Sequence, residues 1–251
     1  NTPSRFVEDW VDYLRQYYMG IAIPINASYE DVKPPALMNR ENILGWYVIG
    51  AIGMMFLYSG FSYGASMIVS EKERGTLKRL LASPITESEL IVSMILSGIA
   101  TLTVSALIAI LVGVFGTGAH VLFDPFNPLH WLVPVLIIVG AFMSIGIGIM
   151  LSLLAKTSQG ASSLGVALGL MLSFTAGIWF PRTMMPTWMG VLADVFPVAW
   201  VFNAIRSIMV FNRGFNEVYP LLVKILIAFI TILMIDLLIY KLRLRKYIEE
   251  V

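Results

Sequence analysis

The chain has no cysteine, which excludes disulfides, thiolate metal ligands and a cysteine nucleophile. It has only two histidines, His120 and His130, and with Asp124 they match no standard metal or catalytic-triad spacing. We therefore expect both to be solvated loop residues. The phosphate-binding pattern G-x-x-x-x-G-K-[ST] does not occur in this sequence, so any ATP hydrolysis would belong to another chain.

Charge is also scarce. Charged residues make up 13% of the chain, against about 25% in soluble domains, whereas 58% are hydrophobic and the mean hydropathy is +0.81. This composition predicts an all-α, polytopic membrane protein. A net charge of +1 argues against a nucleic-acid partner.

Five apolar runs are long enough to cross a hydrocarbon core of ~30 Å. They are residues 43–69, 90–115, 132–154, 161–180 and 221–240. Glycine or alanine residues recur four apart in the first and fourth of these runs, which predicts close helix contacts. These residues are Gly60 and Gly64, and Ala161, Gly165 and Gly169.

The second run carries a ridge of small, weakly polar residues with a period of four. Its members are Ser93, Ser97, Thr101, Ser105 and Ala109. We interpret the ridge as a surface for close packing against a neighbouring helix, and lining of a polar path is the alternative.

A charged segment, residues 70–89, separates the first two spans and holds eight of the chain's charged side chains. Leu77, Leu80 and Leu81 have the spacing of one helix face, which predicts a short amphipathic helix that ends before Pro84.

A capping box follows this short helix. Thr86 and Glu89 stand three residues apart at the start of the second span, so each side chain is expected to bond the other residue's backbone N–H. The segment would thus be joined rigidly to the membrane helix.

A second interruption, residues 181–214, is apolar but broken by Pro186, Asp194 and Pro197 into pieces of about ten residues. Such pieces are typical of re-entrant or interfacial helices. The positive-inside rule places both basic clusters in the cytoplasm only if this segment returns to the outer face. The clusters are Lys72, Arg74, Lys78 and Arg79, and, near the cytoplasmic C-terminus, Lys241, Arg243, Arg245 and Lys246.

Two stretches resemble one family. The run from Glu71 to Leu77 (EKERGTL), followed by Arg79 to Pro84 (RLLASP), is similar to the cytoplasmic segment of ABC-2 type transporter permeases, the membrane subunits of type V ABC exporters. The resemblance implies contact with an ATPase subunit through Glu71, Glu73, Arg74, Gly75, Thr76, Leu77, Arg79, Leu80, Leu81, Ser83 and Pro84.

The second interruption also resembles that family, which carries paired outer-leaflet helices before its last span. The matching residues include Pro181, Pro186, Trp188, Pro197 and Arg206. Because the family has six spans, we expect an N-terminal span to be missing, with residues 1–42 forming an external amphipathic helix and loop before a transmembrane domain at 43–251.

The resemblance implies a permease subunit of an ATP-driven exporter in the plasma membrane, with no cofactor of its own. ATP and Mg would bind a cytosolic ATP-binding cassette subunit, and a second copy or a similar permease would complete the pore. The apolar, Met-rich composition favours a lipophilic, drug-like or lipid substrate. Polysaccharide export, or transmission of force or signal, is the alternative.

Few ionisable residues lie within the spans. Asp236 lies near the cytoplasmic end of the last span and Lys224 near its outer end. We expect them to snorkel or pair locally, and a proton or ion role is the alternative. An intramembrane enzyme is disfavoured because no span contains a histidine.

Overall fold

The computed structural model describes residues 40–75, 86–119, 121–180 and 185–239, all within one unit, Pro35–Val251. The regular structure within these ranges is entirely helical, with no strand, which confirms the all-α fold class. The helices are α1 (Arg40–Met55), α2 (Phe61–Glu73), α3 (Glu87–Thr117), α4 (Leu132–Ser152), α5 (Ser158–Thr175), α6 (Thr187–Val195), α7 (Pro197–Met209) and α8 (Phe215–Ile239).

Four helices of the described ranges are long and apolar enough to cross a membrane, or five if α6 and α7 count as one broken span. The first, Asn42–Glu71, joins α1 to α2 through a π-helical turn at Phe56–Gly60. The others are Glu89–Thr117, Pro128–Ser152 and Phe215–Ile239. They correspond to four of the five predicted spans.

The remaining predicted span, residues 161–180, corresponds to α5, which ends five residues earlier than expected. The chain turns after Thr175, and Gly177 has a left-handed φ of 79°. A left-handed φ favours glycine and commonly follows a helix end. The polar start at Ser158 and Gln159 also lowers the hydropathy of α5, which is why it is not among the four longest apolar helices.

Nevertheless α5 runs beside the first helix over most of its length, in the opposite direction. The Ser62 and Ser162 hydroxyls lie 2.7 Å apart. Further along α5, Gly169 lies against Tyr58. After the end of α5, the carbonyl of Ile178 and that of Trp46, near the start of the first helix, accept hydrogen bonds from the same Arg206 side chain. These contacts progress from one end of the first helix to the other, as expected for a crossing helix.

The predicted glycine seams are confirmed by backbone-to-backbone contact. A methyl group at Gly165 would lie 2.6 Å from the Ser62 nitrogen, and one at Gly169 would lie 2.6 Å from the Tyr58 Cα. Helix α4 approaches the first helix as closely, because a methyl group at Gly148 would lie 2.9 Å from the Gly64 Cα. Any side chain would therefore force α4 and α5 away from it.

The segment that follows α5 forms two helices, α6 and α7, bent by 89°. The break falls at Phe196 and Pro197, and α6 continues through Asp194, so the expected break at that residue is wrong. Proline has no amide hydrogen to continue α6 but fits the first turn of α7.

Helix α7 covers only part of the first helix. The Phe196 ring lies 6.4 Å from Phe61, near the middle of that helix, and Arg206 reaches Trp46 at its start. Helix α6 lies nearly at a right angle to α7. This sharply bent pair, here called the α6–α7 hairpin, contacts the first helix between Phe61 and Trp46.

The expectation of solvated histidines is wrong for His130, which is 2% exposed. Its Nδ1 accepts the Asp124 backbone N–H at 2.8 Å, and its ring lies 6.2 Å from Phe123. The imidazole is therefore a structural acceptor that holds the loop before α4. His120 lies outside the described residues.

The small polar ridge of α3 packs only in part within this chain: Ala109 packs against the core and Ser105 is half-buried. Ser93, Ser97 and Thr101 are exposed, and Thr101 bonds the Ser97 carbonyl of its own helix at 2.9 Å. The buried face of α3 lies elsewhere, at Leu102 and Ala106.

Gly169→Ala should lower the thermal unfolding temperature in detergent, because its methyl group would meet the Tyr58 backbone. Overpacking of this kind costs ~1–3 kcal/mol. Gly116→Ala, near the end of α3, is the matched control, since its methyl group would be 3.8 Å from Val112 Cγ1, an ordinary van der Waals contact. Equal unfolding temperatures for the two variants would contradict the proposed role of the seam.

Candidate functional site

The structure describes both ends of the charged segment but not its centre. Helix α2 ends at Glu73, and Gly75 follows with a left-handed φ of 68°. Glu73, Arg74 and Gly75 are exposed, and Glu71 is half-buried. The other predicted contact residues lie outside the described ranges: Thr76, Leu77, Arg79, Leu80, Leu81, Ser83 and Pro84.

Glu73 joins the end of α2 to the start of α5. The Ser158 backbone N–H donates to Glu73 Oε1 at 3.1 Å, and the Ser158 hydroxyl donates to Oε2. These hydrogen bonds, first from the hydroxyl and then from the backbone, hold the pKa of Glu73 below its usual range. A carboxylate is also favourable at a helix N-terminus, where unpaired N–H groups point outward.

The contact between Glu73 and Ser158 was not predicted. The two residues are 85 positions apart, and no sequence pattern indicates that their side chains contact each other. The carboxylate that the resemblance assigns to the ATPase contact is thus engaged by α5 within this chain. Thr157, whose hydroxyl accepts the Gly160 N–H at 3.1 Å, caps the same helix.

The other end of the segment carries the predicted capping box. Glu89 N–H donates to Thr86 Oγ1 at 3.3 Å, and Thr86 N–H donates to Glu89 Oε2 at 2.8 Å. The box fixes the direction in which the chain enters α3. The segment is therefore flanked by two helices with defined ends, α2 and α3, and α2 is tied to α5.

The opposite end of the bundle is organised around Arg206, which is 1% exposed. Its guanidinium donates to the carbonyl oxygens of Gly177 and Trp46, each at 3.3 Å, and to that of Ile178. It also bonds Asn203 Oδ1 at 3.3 Å. Each of these groups is an acceptor, so the charge is balanced by oxygen dipoles.

Trp46 completes this cluster. The Arg206 guanidinium lies 3.9 Å from the centre of the Trp46 ring, and Trp46 Nε1 donates to the Trp179 carbonyl at 3.0 Å. A guanidinium over an indole face is a favourable cation–π arrangement. The first helix, the turn after α5 and helix α7 are thereby held together at one point.

The predicted re-entrant residues occupy different environments. Pro186 immediately precedes α6, Pro197 is the first residue of α7, and Trp188 is 60% exposed on α6. Pro181 lies outside the described residues. Of these residues only Arg206 is buried, and its acceptors Gly177 and Trp46 were not among the predicted residues.

Arg206 also lines a cavity of about 350 Å³ between the hairpin and the start of α8. Asp194, Arg213 and Lys224 contribute to the wall, and the Lys224 ammonium lies 6.0 Å from the centre of the Trp200 ring. Within the described part of the chain, no cluster of three metal-ligating side chains occurs.

Four or five membrane-length helices among the described residues, with a charged segment between the first two and a bent helix pair before the last, define the class: a multi-pass helical membrane protein. Residues 17–210 match the model of the ABC-2 type transporter family. The chain belongs to that family, which confirms the resemblance drawn from the two stretches.

Curated relatives agree with this assignment. The chain is 26% identical over 184 residues to the probable multidrug ABC transporter permease YbhR of Escherichia coli K12, an alignment that covers 71% of this chain and 48% of the relative. It is 27% identical over 161 residues to the inner membrane transport permease YhhJ of the same strain, covering 62% and 40%. The aligned part of this chain thus spans about half the length of these relatives or less. No solved structure matches the chain.

Arg206→Met should destabilise the protein, because two buried carbonyl groups and one partly buried carbonyl group would lose this donor. Each unsatisfied buried group costs ~1–3 kcal/mol. Arg213→Met is the control, since Arg213 is about half exposed and pairs with Glu217 at 3.7 Å, an arrangement worth ~0–1 kcal/mol. The measurement is thermal unfolding in detergent, and equal shifts for both variants would refute the anchoring role of Arg206.

Proposed function

We propose that this chain is the membrane permease subunit of an ATP-driven exporter that moves a lipophilic, drug-like or lipid substrate outward. Family membership and the similarity to the permeases YbhR and YhhJ support the transporter class. The observation that carries the mechanism is the double attachment of the charged segment, to α2 and α5 through Glu73 and to α3 through the capping box.

ATP and Mg would bind a separate cytosolic ATP-binding cassette subunit. Its closure would press on Leu77, Leu80 and Leu81, while Glu71, Arg74 and Arg79 would set the register by charge pairs at the rim. Exposure of Arg74 at the end of α2 supports this rim position. Charged rims fix orientation and discourage wrong partners more than they add affinity.

The movement would then reach the membrane through helices with fixed ends. The capping box makes α3 follow the segment, and the Ser158 contact makes α5 follow α2. Because α5 and α4 touch the first helix through glycine, these helices would shift together. The segment would transmit force to a packed group and not to one helix alone.

In this proposal the charged segment and the C-terminus face the cytoplasm, and the α6–α7 hairpin lies in the outer half of the membrane. The hairpin geometry supports this placement, since α7 covers the first helix only from Trp46 to about Phe61. A full crossing by the hairpin would put the two basic clusters on opposite sides, against the positive-inside rule.

A second permease, either an identical copy or a similar chain, would pack on the small polar ridge of α3. Ser93, Ser97 and Thr101 are exposed in the single chain and are small enough to allow close approach of a partner helix. The substrate path would then open between the two permeases.

Charge reversal at Arg74 together with Arg79, both to Glu, should uncouple ATP hydrolysis from transport. Like-charge contacts at an interface cost several kcal/mol, so transport per ATP hydrolysed should fall about tenfold or more. The assay compares transport and ATPase activity of the complex purified with its ATPase subunit. Arg213→Glu, at the other end of the bundle, is the control. Unchanged coupling in the double variant would count against the proposed interface.

Cysteine cross-linking tests the second-permease interface, and the absence of native cysteines makes single-cysteine variants unambiguous. Ser97→Cys should give a disulfide-linked dimer in membranes under mild oxidation. Leu226→Cys, 59% exposed on α8, is the control and should remain monomeric. Absence of the Ser97→Cys dimer when the ATPase subunit is co-expressed would argue against a homodimer packed on this ridge.

A further inference from the structure

An exposed lysine within the last span has no place in the mechanism above. Lys224 lies in about the third turn of α8 and is exposed. Its ammonium group forms no ion pair with an acidic side chain of the described residues. The local pairing expected from the sequence is therefore not seen among them. Charged side chains within membrane spans are costly, and they commonly mark binding sites or pathways.

Lys224 lines the cavity of about 350 Å³ between the α6–α7 hairpin and α8. Its ammonium group lies 6.0 Å from the centre of the Trp200 ring, which lines the same cavity from α7. The side chain thus extends from α8 towards α7 and presents its charge to the space between the two helices. A volume of this size is in the range of pockets for small ligands.

The wall of the cavity carries more positive than negative charge. Among the described residues it contains Arg206, Arg213 and Lys224, against one acidic side chain, Asp194. Arg213 pairs at 3.7 Å with Glu217, which is outside the lining, so its charge is compensated there. Arg206 donates to neutral carbonyl oxygens, which leave its positive charge in place, and its Nε has no partner among the described residues. The remaining charges, two positive and one negative, favour an anionic ligand.

The surface beside the cavity indicates that this anion carries an apolar tail. Ile227 lies one turn from Lys224 on the same side of α8, and it is exposed together with Val223 and Leu226. Because α8 has membrane length, lipid acyl chains would cover these side chains. Tryptophan, which lines the cavity at Trp200, is typical of the headgroup level of a membrane. A phosphate attached to acyl chains matches both the charge and the apolar surface, whereas free phosphate matches only the charge.

We propose that this cavity binds the phosphate headgroup of an anionic phospholipid, with Lys224 as the counter-ion and the acyl chains along α8. The assignment to the outer half of the membrane rests on the proposed orientation of the permease, whereas the binding itself does not. Because the cavity lies between the hairpin and α8, a bound headgroup would join the hairpin to the last span. A ligand that binds only the folded chain also raises its stability.

Native mass spectrometry of the purified, delipidated full chain, titrated with phosphatidylglycerol, tests this proposal without the ATPase subunit. The first lipid bound to wild type should be phosphatidylglycerol, with about tenfold higher affinity than phosphatidylcholine of the same acyl chains. Lys224→Gln should remove this preference, and Lys224→Arg should retain it. Lys156→Gln, which removes an exposed cation between α4 and α5, is the matched control and should bind as wild type does.

Thermal unfolding in detergent is the second measurement. Phosphatidylglycerol should raise the unfolding temperature of wild type and of Lys224→Arg, but not that of Lys224→Gln. If Lys224→Gln does not fold, Ser207→Phe replaces it, because this variant keeps the lysine but fills the cavity and should also abolish the preference.

Three results would overturn the proposal. They are equal binding of the two lipids by wild type, a preference that survives in Lys224→Gln or is lost equally in Lys156→Gln, and displacement of phosphatidylglycerol by inorganic phosphate at equal concentration. The last result would indicate a soluble phosphate ligand in place of a lipid. A chain that prefers phosphatidylglycerol but shows no coupled ATP hydrolysis would instead refute the export function and leave this site intact.

Discussion

Backbone contact at glycine positions is the constraint on which the rest of this structure depends. Lipid tails are as apolar as leucine, so membrane helices gain little free energy from hydrophobic burial against one another. Their association is stabilised by close packing instead. Here Gly64 and Gly148 meet across α2 and α4, and Gly165 and Gly169 place α5 directly on the first helix. The first helix, α4 and α5 form one packed group, and these contacts leave little room for the three helices to move relative to one another.

That packing positions the polar contacts at the two ends of the bundle. Glu73 can hold Ser158 only because α5 lies against α2 along its length, and Arg206 can reach Trp46 only because α7 lies against α1. The same packed backbone joins the Glu73 end to the Arg206 end, which is the property that the proposed force transmission requires.

Features encoded locally were predictable from the sequence, and features that depend on the fold were not. The Thr86–Glu89 capping box and the glycine seam of α5 follow from spacings of three and four residues, and both are present. The Arg206–Trp46 contact joins residues 160 positions apart, and the burial of His130 depends on a backbone N–H of Asp124 that no pattern marks. The early end of α5 could have been inferred from Gly177, but the apolar residues around it concealed the turn.

Two buried ionisable side chains among the described residues, Arg206 and Asp236, differ in their surroundings. The Arg206 guanidinium donates to three carbonyl oxygens and lies over an indole face, with only its Nε left without a partner, so its role is to hold three segments together. Asp236 has no such partners among the described residues, and it borders an apolar cleft. A buried charge satisfied by the protein stabilises the fold. One left unsatisfied costs stability.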